Sequence, residues 1–144
     1  MTATVRLVLP EPPSSNRYWR VWRGRAVKSQ EARDYGEAVR VLCAAQLTDV
    51  ERAALPLTGP VAVVLAWHRA ARRGDLDNRA KVALDSVRGL LYADDKQVVR
   101  LEMDRHESPN AGRLDIEVRA VAEPLPPARR RDRRAGLPPT SLKD

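Results

Sequence analysis

Residues Val61 to His68 read Val-Ala-Val-Val-Leu-Ala-Trp-His, a nearly continuous apolar run rich in β-branched side chains. A run this short and this apolar predicts a central strand, because such segments become stable only when neighbouring elements cover them. The patterns on either side alternate between helix and strand. Thr4 to Leu9 reads as a first strand, ended by Pro10, Pro12 and Pro13. Ser29 is a good N-cap for a helix from about Gln30 to Leu47, with Ala32, Tyr35, Val39, Leu42, Cys43 and Gln46 tracing its inner face. Thr48 to Pro60 reads as a linker broken at Pro56 and Gly59-Pro60. Leu76 to Leu90 has helical spacing again, with Leu76, Ala80, Ala83, Leu84, Val87 and Leu91 as its apolar stripe. Lys96 to Arg105 and Arg113 to Ala120 alternate as strands and are expected to pair as a hairpin at the sheet edge. The expected fold is α/β (α+β): one compact domain with a mixed sheet of about four strands and two main helices.

With 144 residues the chain has room for one real core and an appendage. The expected domain covers residues 1–123. From Pro124 to Asp144 the composition turns to a proline-rich basic tail, expected to be disordered or extended; it carries six Lys or Arg against two Asp, a net of +4, leaving +3 for the rest of a +7 chain. A pI near 10.3 makes a polyanion the natural partner. A membrane is disfavoured: there is no long apolar run, no basic amphipathic helix with aromatic anchors, and no secretory leader at Met1, so the expected location is the cytoplasm. Cys43 stands alone, which rules out a disulfide framework or a cysteine zinc site and suggests a buried inert thiol. No Phe and only three Trp and three Tyr make an extended base-stacking platform hard to assemble. No phosphate-cradling glycine loop or dinucleotide fingerprint is present, so a nucleotide cofactor is not expected.

Against this basic background, Gly74 to Asp95 holds five aspartates, Asp75, Asp77, Asp85, Asp94 and Asp95, together with Asn78 and Lys81. Crowded carboxylates need compensating positive charge, and carboxylate oxygens are preferred ligands of a hard divalent cation. Each fragment also has a plain structural reading. Asp75 or Asp77 serves as a helix cap, and Asp94-Asp95 serves as a turn. Asp77, Lys81 and Asp85 are four apart, so Lys81 is either a helix ion-pair partner or a free cation beside the carboxylates. Asp85 fits a solvated or Lys81-paired residue better than a metal ligand. The two acidic clusters, about 20 residues apart, are expected to converge if the strand after Asp95 pairs beside the strand before Gly74.

Ser14 to Arg25 places four arginines among two tryptophans and a tyrosine. That composition suits a loop or hairpin contacting nucleic acid, and equally an edge hairpin with Trp19 and Trp22 in the core and solvated arginines. Candidate DNA contacts are Asn16, Arg17, Arg20, Arg23 and Arg25 here, and Arg69, Arg72, Arg73 and Asn78 around the acidic stretch. His68 lacks a partner histidine at ligand spacing and reads as a polar strand-end residue.

In order and spacing, Asp75-Leu76-Asp77-Asn78, Lys81, Asp85 and Asp94-Asp95-Lys96-Gln97-Val98 resemble the RusA family of Holliday junction resolvases. Leu9 to Trp19 is similar to that family's amino-terminal signature, and the likeness runs from about Val5 to about Val121. The resemblance implies a RusA-like fold and a homodimer that nicks opposite strands of a four-way DNA junction symmetrically, leaving 5′-phosphate ends. It further implies Mg²⁺, with Mn²⁺ as an alternative, held by residues matching Asp75, Asp77, Asp94 and Asp95, and an essential lysine matching Lys81. Asp75, Asp77, Lys81 and Asp95 are thus the catalytic candidates. Family members can carry a basic residue just before Asp75, where this chain has Gly74 with Arg72 and Arg73 upstream, so strand distortion or sequence choice at the cut is expected to differ. Two other readings remain: a metal-dependent nuclease for other branched or duplex DNA, and a noncatalytic DNA-binding accessory protein.

Overall fold

The computed structural model describes residues 3–122; the basic tail lies outside the described residues. Strands β1 (Thr4–Leu9), β4 (Val61–Arg69), β5 (Val98–Glu107) and β6 (Arg113–Ala120) form a mixed sheet in the order β1-β6-β4-β5. A separate hairpin joins β2 (Trp19–Trp22) to β3 (Arg25–Lys28). The helices are α1 (Ser15–Tyr18), α2 (Gln30–Gln46), α3 (Asp49–Ala54) and α4 (Leu76–Val87). The expected mixed architecture is present, with α2 and α4 as its two long helices.

β4 is central in the hydrogen-bonding sense, parallel to β5 on one edge and antiparallel to β6 on the other. Its odd positions Val61, Val63, Leu65 and Trp67 are wholly buried, and join Leu114, Ile116 and Val118 of β6 and Val5, Leu7 and Leu9 of β1 in the core. Ala32, Tyr35, Val39 and Cys43 of α2 and Val82, Ala83 and Val87 of α4 complete that core. Val64, on the other face of β4, is 37% exposed. The unbroken apolar run therefore reflects small or β-branched residues on a partly open face, not helices on both sides. The outer edge of β1 is tied down by Gln46, whose amide donates to the Val8 carbonyl at 2.7 Å and accepts from the Val8 N–H at 2.8 Å. A side chain thus takes the place of a further strand.

Three expectations need correction. Residues 48–60 are more than a linker: Thr48 and Glu51 form a reciprocal capping box that starts α3. β5 and β6 do not pair, because β4 lies between them and β5 is the edge strand. β6 is instead flanked by β1 and β4, antiparallel to both. The buried side of α4 includes Val82, while Leu76, Ala80 and Leu84 are only partly buried. Cys43 is buried as expected, and burial pushes its thiol pKa up.

Candidate active site

Parallel pairing of β4 with β5 demands a crossover, and α4 is that crossover. Asp75 occupies its N-cap position, with φ −95° and ψ 146°, yet makes no side-chain capping bond. Its carboxylate is therefore not spent on the helix, contrary to the simplest structural explanation for an aspartate there. Asp77 follows in the first turn, where the helix dipole favours negative charge. Both are exposed.

Asp77, Lys81, Asp85 and Asp95 rim a cleft of about 630 Å³ between α4 and β5, floored by Leu76, Ala80, Leu84, Leu101 and Met103. Lys81 is exposed and, among the described residues, forms no ion pair within 4.0 Å. The helix ion-pair reading of Lys81 is thus not realised. Burial and the neighbouring Asp95 charge raise the Asp85 pKa, while Lys81, Lys28 and Arg88 oppose them. Asp95 itself lies 3.7 Å from Arg88.

Asp94, among the aspartates of Gly74 to Asp95, has a clear local duty in the turn. Its Oδ1 accepts from the Lys96 N–H at 2.9 Å and its own N–H donates to Gln97 Oε1 at 3.0 Å, capping the 3₁₀ turn Asp95–Gln97. The turn reading holds for this residue.

The two acidic clusters do not converge within one chain. β5 pairs beside β4 as required, but in parallel. Its leading turn, carrying Asp94 and Asp95, consequently sits at the end of the sheet where β4 begins, whereas Asp75 follows the end where β4 finishes. Asp77 and Asp85 are separated by roughly 12 Å along the helix at about 1.5 Å per residue, and Asp95 belongs with Asp85. Two cations sharing a phosphate need centres about 4 Å apart. Consistently, among the described residues no three His, Cys, Asp or Glu side chains gather to hold a metal ion. Each cluster by itself supplies a pair of hard oxygen donors, the chemistry that suits Mg²⁺ or Mn²⁺.

Comparison with known proteins decides the family. The model for the family described as Endodeoxyribonuclease RusA matches residues 10–119. The chain belongs to the RusA family. It is 33% identical over 117 residues to the crossover junction endodeoxyribonuclease RusA of Escherichia coli K12, covering 80% of this chain and 93% of that protein. The enzyme of that name from Enterobacteria phage 82 is 32% identical over the same shares, and that from Shigella sonnei 33%. Every acidic candidate and Lys81 fall inside the RusA match.

The basic residues of this RusA family member divide into committed and free groups. Arg69 is committed: its guanidinium grips Glu107 at 2.6 and 3.1 Å, holding that carboxyl below its usual range, and reaches the Gly74 carbonyl at 3.5 Å. Its side chain is only 11% exposed, so it braces the turn before Asp75 more than it offers charge to DNA. Arg72 and Arg73 are exposed. Asn78 is positioned by Ser15, whose hydroxyl donates to Asn78 Oδ1 at 2.8 Å. Asn16, Arg17, Arg20, Arg23 and Arg25 are all exposed, the last three on the β2–β3 hairpin. Trp19 and Trp22 on that hairpin are 45% and 60% exposed, so they do not belong to the core. His68 is held by Asp115 at 3.1 Å and stacks on His106 at 5.0 Å, a strand-end role as expected.

Sequence reasoning missed Arg79. It donates to the Pro12 carbonyl and lies over the Trp67 ring at 5.1 Å, with its Nε buried and unpartnered. Burial lowers its pKa. The available signal was position: Arg79 is four residues before Ala83, on the inward face of α4. It also explains Gly74. At φ +99°, a Cβ there would meet Arg79 Nη2 at 3.0 Å and Trp67 at 3.3 Å. Gly74→Ala is expected to destabilise the fold by about 1–3 kcal/mol, because it adds a strained backbone to a crowded site. Urea unfolding at fixed pH measures this, and an unchanged midpoint would mean the turn is not held as described.

Proposed function

We propose that the protein is a metal-dependent endodeoxyribonuclease that resolves four-way DNA junctions by paired symmetric nicks, acting as a homodimer. Each site draws Asp75, Asp77 and Lys81 from one chain and Asp95, with Asp94 beside it, from its partner. The observation that carries this reading is the charged cleft of a RusA family member, in which Asp77, Asp85, Asp95 and a lysine that forms no ion pair among the described residues rim an apolar groove. A two-fold interface sets residue i against j and j against i. Packing of two such grooves on each other would bring the Asp77 end of one α4 to the Asp95 end of the other. Leu101, 44% exposed on the edge strand β5, supplies apolar surface for that contact.

Divalent cations held there would supply an activated water and neutralise charge on a phosphodiester, the two hardest requirements of its hydrolysis. Lys81 adds fixed positive charge for the scissile phosphate. Arg72, Arg73 and the hairpin arginines attract the DNA backbone without choosing its sequence. No helix among the described residues is long and apolar enough to cross a membrane.

The test is cleavage of a synthetic four-way junction and a linear duplex of the same sequence with Mg²⁺, with Mn²⁺ and with EDTA, followed by mapping of the ends. The expected result is metal-dependent, symmetric nicking of the junction with 5′-phosphate products. Tight, salt-sensitive binding with no cutting under either metal would instead identify a noncatalytic binder, and equal cutting of the duplex a less selective nuclease.

A further inference from the structure

The β2–β3 hairpin carries exposed apolar and cationic side chains together. Its turn is left-handed at both central residues, Arg23 (φ 48°) and Gly24 (φ 71°), the tight two-residue geometry that suits a twisted hairpin. Every residue of β2 is exposed, and Val21 reaches 82% and Trp22 60%. Tryptophan and valine ordinarily move to the core when a fold can bury them. Here Trp22 sits at the tip, next to the turn, with the Arg23 guanidinium over its ring at 4.4 Å. Trp19, at the root, is braced edge-on against the buried Tyr18 at 5.2 Å. The face carrying Trp22 overlooks a concavity of about 690 Å³ in front of α2, bordered by Arg20, Val27 and Arg33.

Charge identifies the occupant. Between Pro12 and Gln30 the chain carries five cations and no acid. A tip that combines an exposed indole, with Arg23 over one face of its ring, and arginines that form no ion pair among the described residues suits a nucleic acid: phosphates pair with the cations and a base covers the other face of the ring. The hairpin is also anchored to the candidate active site. Ser15, just before it, bonds to Asn78 of α4, and Lys28 at its end lies close enough to attract Asp85. DNA touching the tip can therefore be the DNA presented to the acidic cleft.

We propose that Trp22 is a stacking wedge that enters the branch point of the junction and covers a base whose stacking is interrupted there. This rests on the nuclease reading for the identity of the DNA, and adds the residue that tells a junction from a duplex. Within a continuous duplex each base already has neighbours on both faces, so stacking on Trp22 would require prying a step apart. At the exchange point of four arms a base face is available at lower cost. The arginines bind both forms through phosphate. Trp22 therefore acts on the ratio of the two affinities.

The experiment uses the full chain in EDTA, so that it reads binding and not cutting. A four-way junction carries 2-aminopurine at the branch point, and a linear duplex carries it at mid-length. Wild type is expected to change the branch-point fluorescence and leave the duplex signal alone. Trp22→Ala should lose that change and bind the junction roughly five- to a hundredfold more weakly, with duplex affinity held within about twofold, and Trp22→Phe should recover part of the loss. Arg20→Ala should weaken both substrates and lower the salt dependence of each by about one released counterion. The proposal is overturned if Trp22→Ala weakens junction and duplex equally, or if the fluorescence change survives. It is overturned as well if Trp22→Ala alters the sedimenting mass of the free protein while junction affinity stays constant, since the hairpin would then be a subunit contact. A wild-type protein that gives the branch-point signal in EDTA but never cuts with metal would sink the nuclease reading and leave the wedge standing.

Discussion

Asp77→Asn is expected to lower metal-dependent junction cleavage on the order of a thousandfold while leaving junction binding undiminished. The substitution keeps size and shape but removes the negative oxygen that a hard cation requires. It also removes negative charge from a +7 chain, so attraction to phosphate cannot fall on that account. The helix loses a favourable dipole contact of about 0.3–1 kcal/mol, too little to unfold a domain. Lys81→Ala should follow the same pattern with a loss of about a hundredfold, since the side chain is exposed and leaves no buried partner behind. Single-turnover cleavage, a binding isotherm in EDTA and a thermal melt on each variant separate the causes. Full activity in both variants would remove these residues from the chemistry. Lost activity with a collapsed melting transition would show that their duty was structural.

The regular elements were legible wherever burial imposes a period. β1 and α2 fall within a residue of their expected bounds because one face of each meets the core and the other meets water. The Thr48–Glu51 capping box was written in the sequence too, but six residues are too few for a helical period to stand out. Strand adjacency was less accessible. A five-residue connection between β5 and β6 suits a hairpin, and nothing local reveals that β4 will slot between them. The same non-local fact governs the site. Asp75, Asp77 and Asp95 were readable as acids near a crossover helix, but parallel pairing sends the ends of that helix to opposite ends of the sheet. Hairpin tryptophans were ambiguous for another reason: an alternating strand has the same pattern whether its apolar face meets a core or a ligand. Arg79 was hidden because a buried arginine looks like any helix cation until Trp67 and Pro12 are seen around it.

Mixing two inactive variants should restore nicking. Consider Asp77→Asn and Asp95→Asn, each cleavage-defective by itself, co-expressed so that their subunits pair at random. If a site takes Asp77 from one chain and Asp95 from the other, every mixed dimer has one site with both substitutions and one with neither. Half of all dimers are mixed, and each has one working site out of two, so strand nicking should recover to about a quarter of wild type, as singly nicked junctions. If each site were built within one chain, every site in the mixture would carry one damaged ligand and nothing would recover. The reciprocal experiment sharpens the contrast. A chain carrying both substitutions, paired with wild type, should poison both sites of the mixed dimer under the two-chain arrangement, whereas a one-chain site in the wild-type partner would keep cutting. Recovery in the first mixture with poisoning in the second requires that the acids separated along α4 meet across a two-fold axis; the opposite pair of results requires that α4 and the turn before β5 rearrange within a single chain.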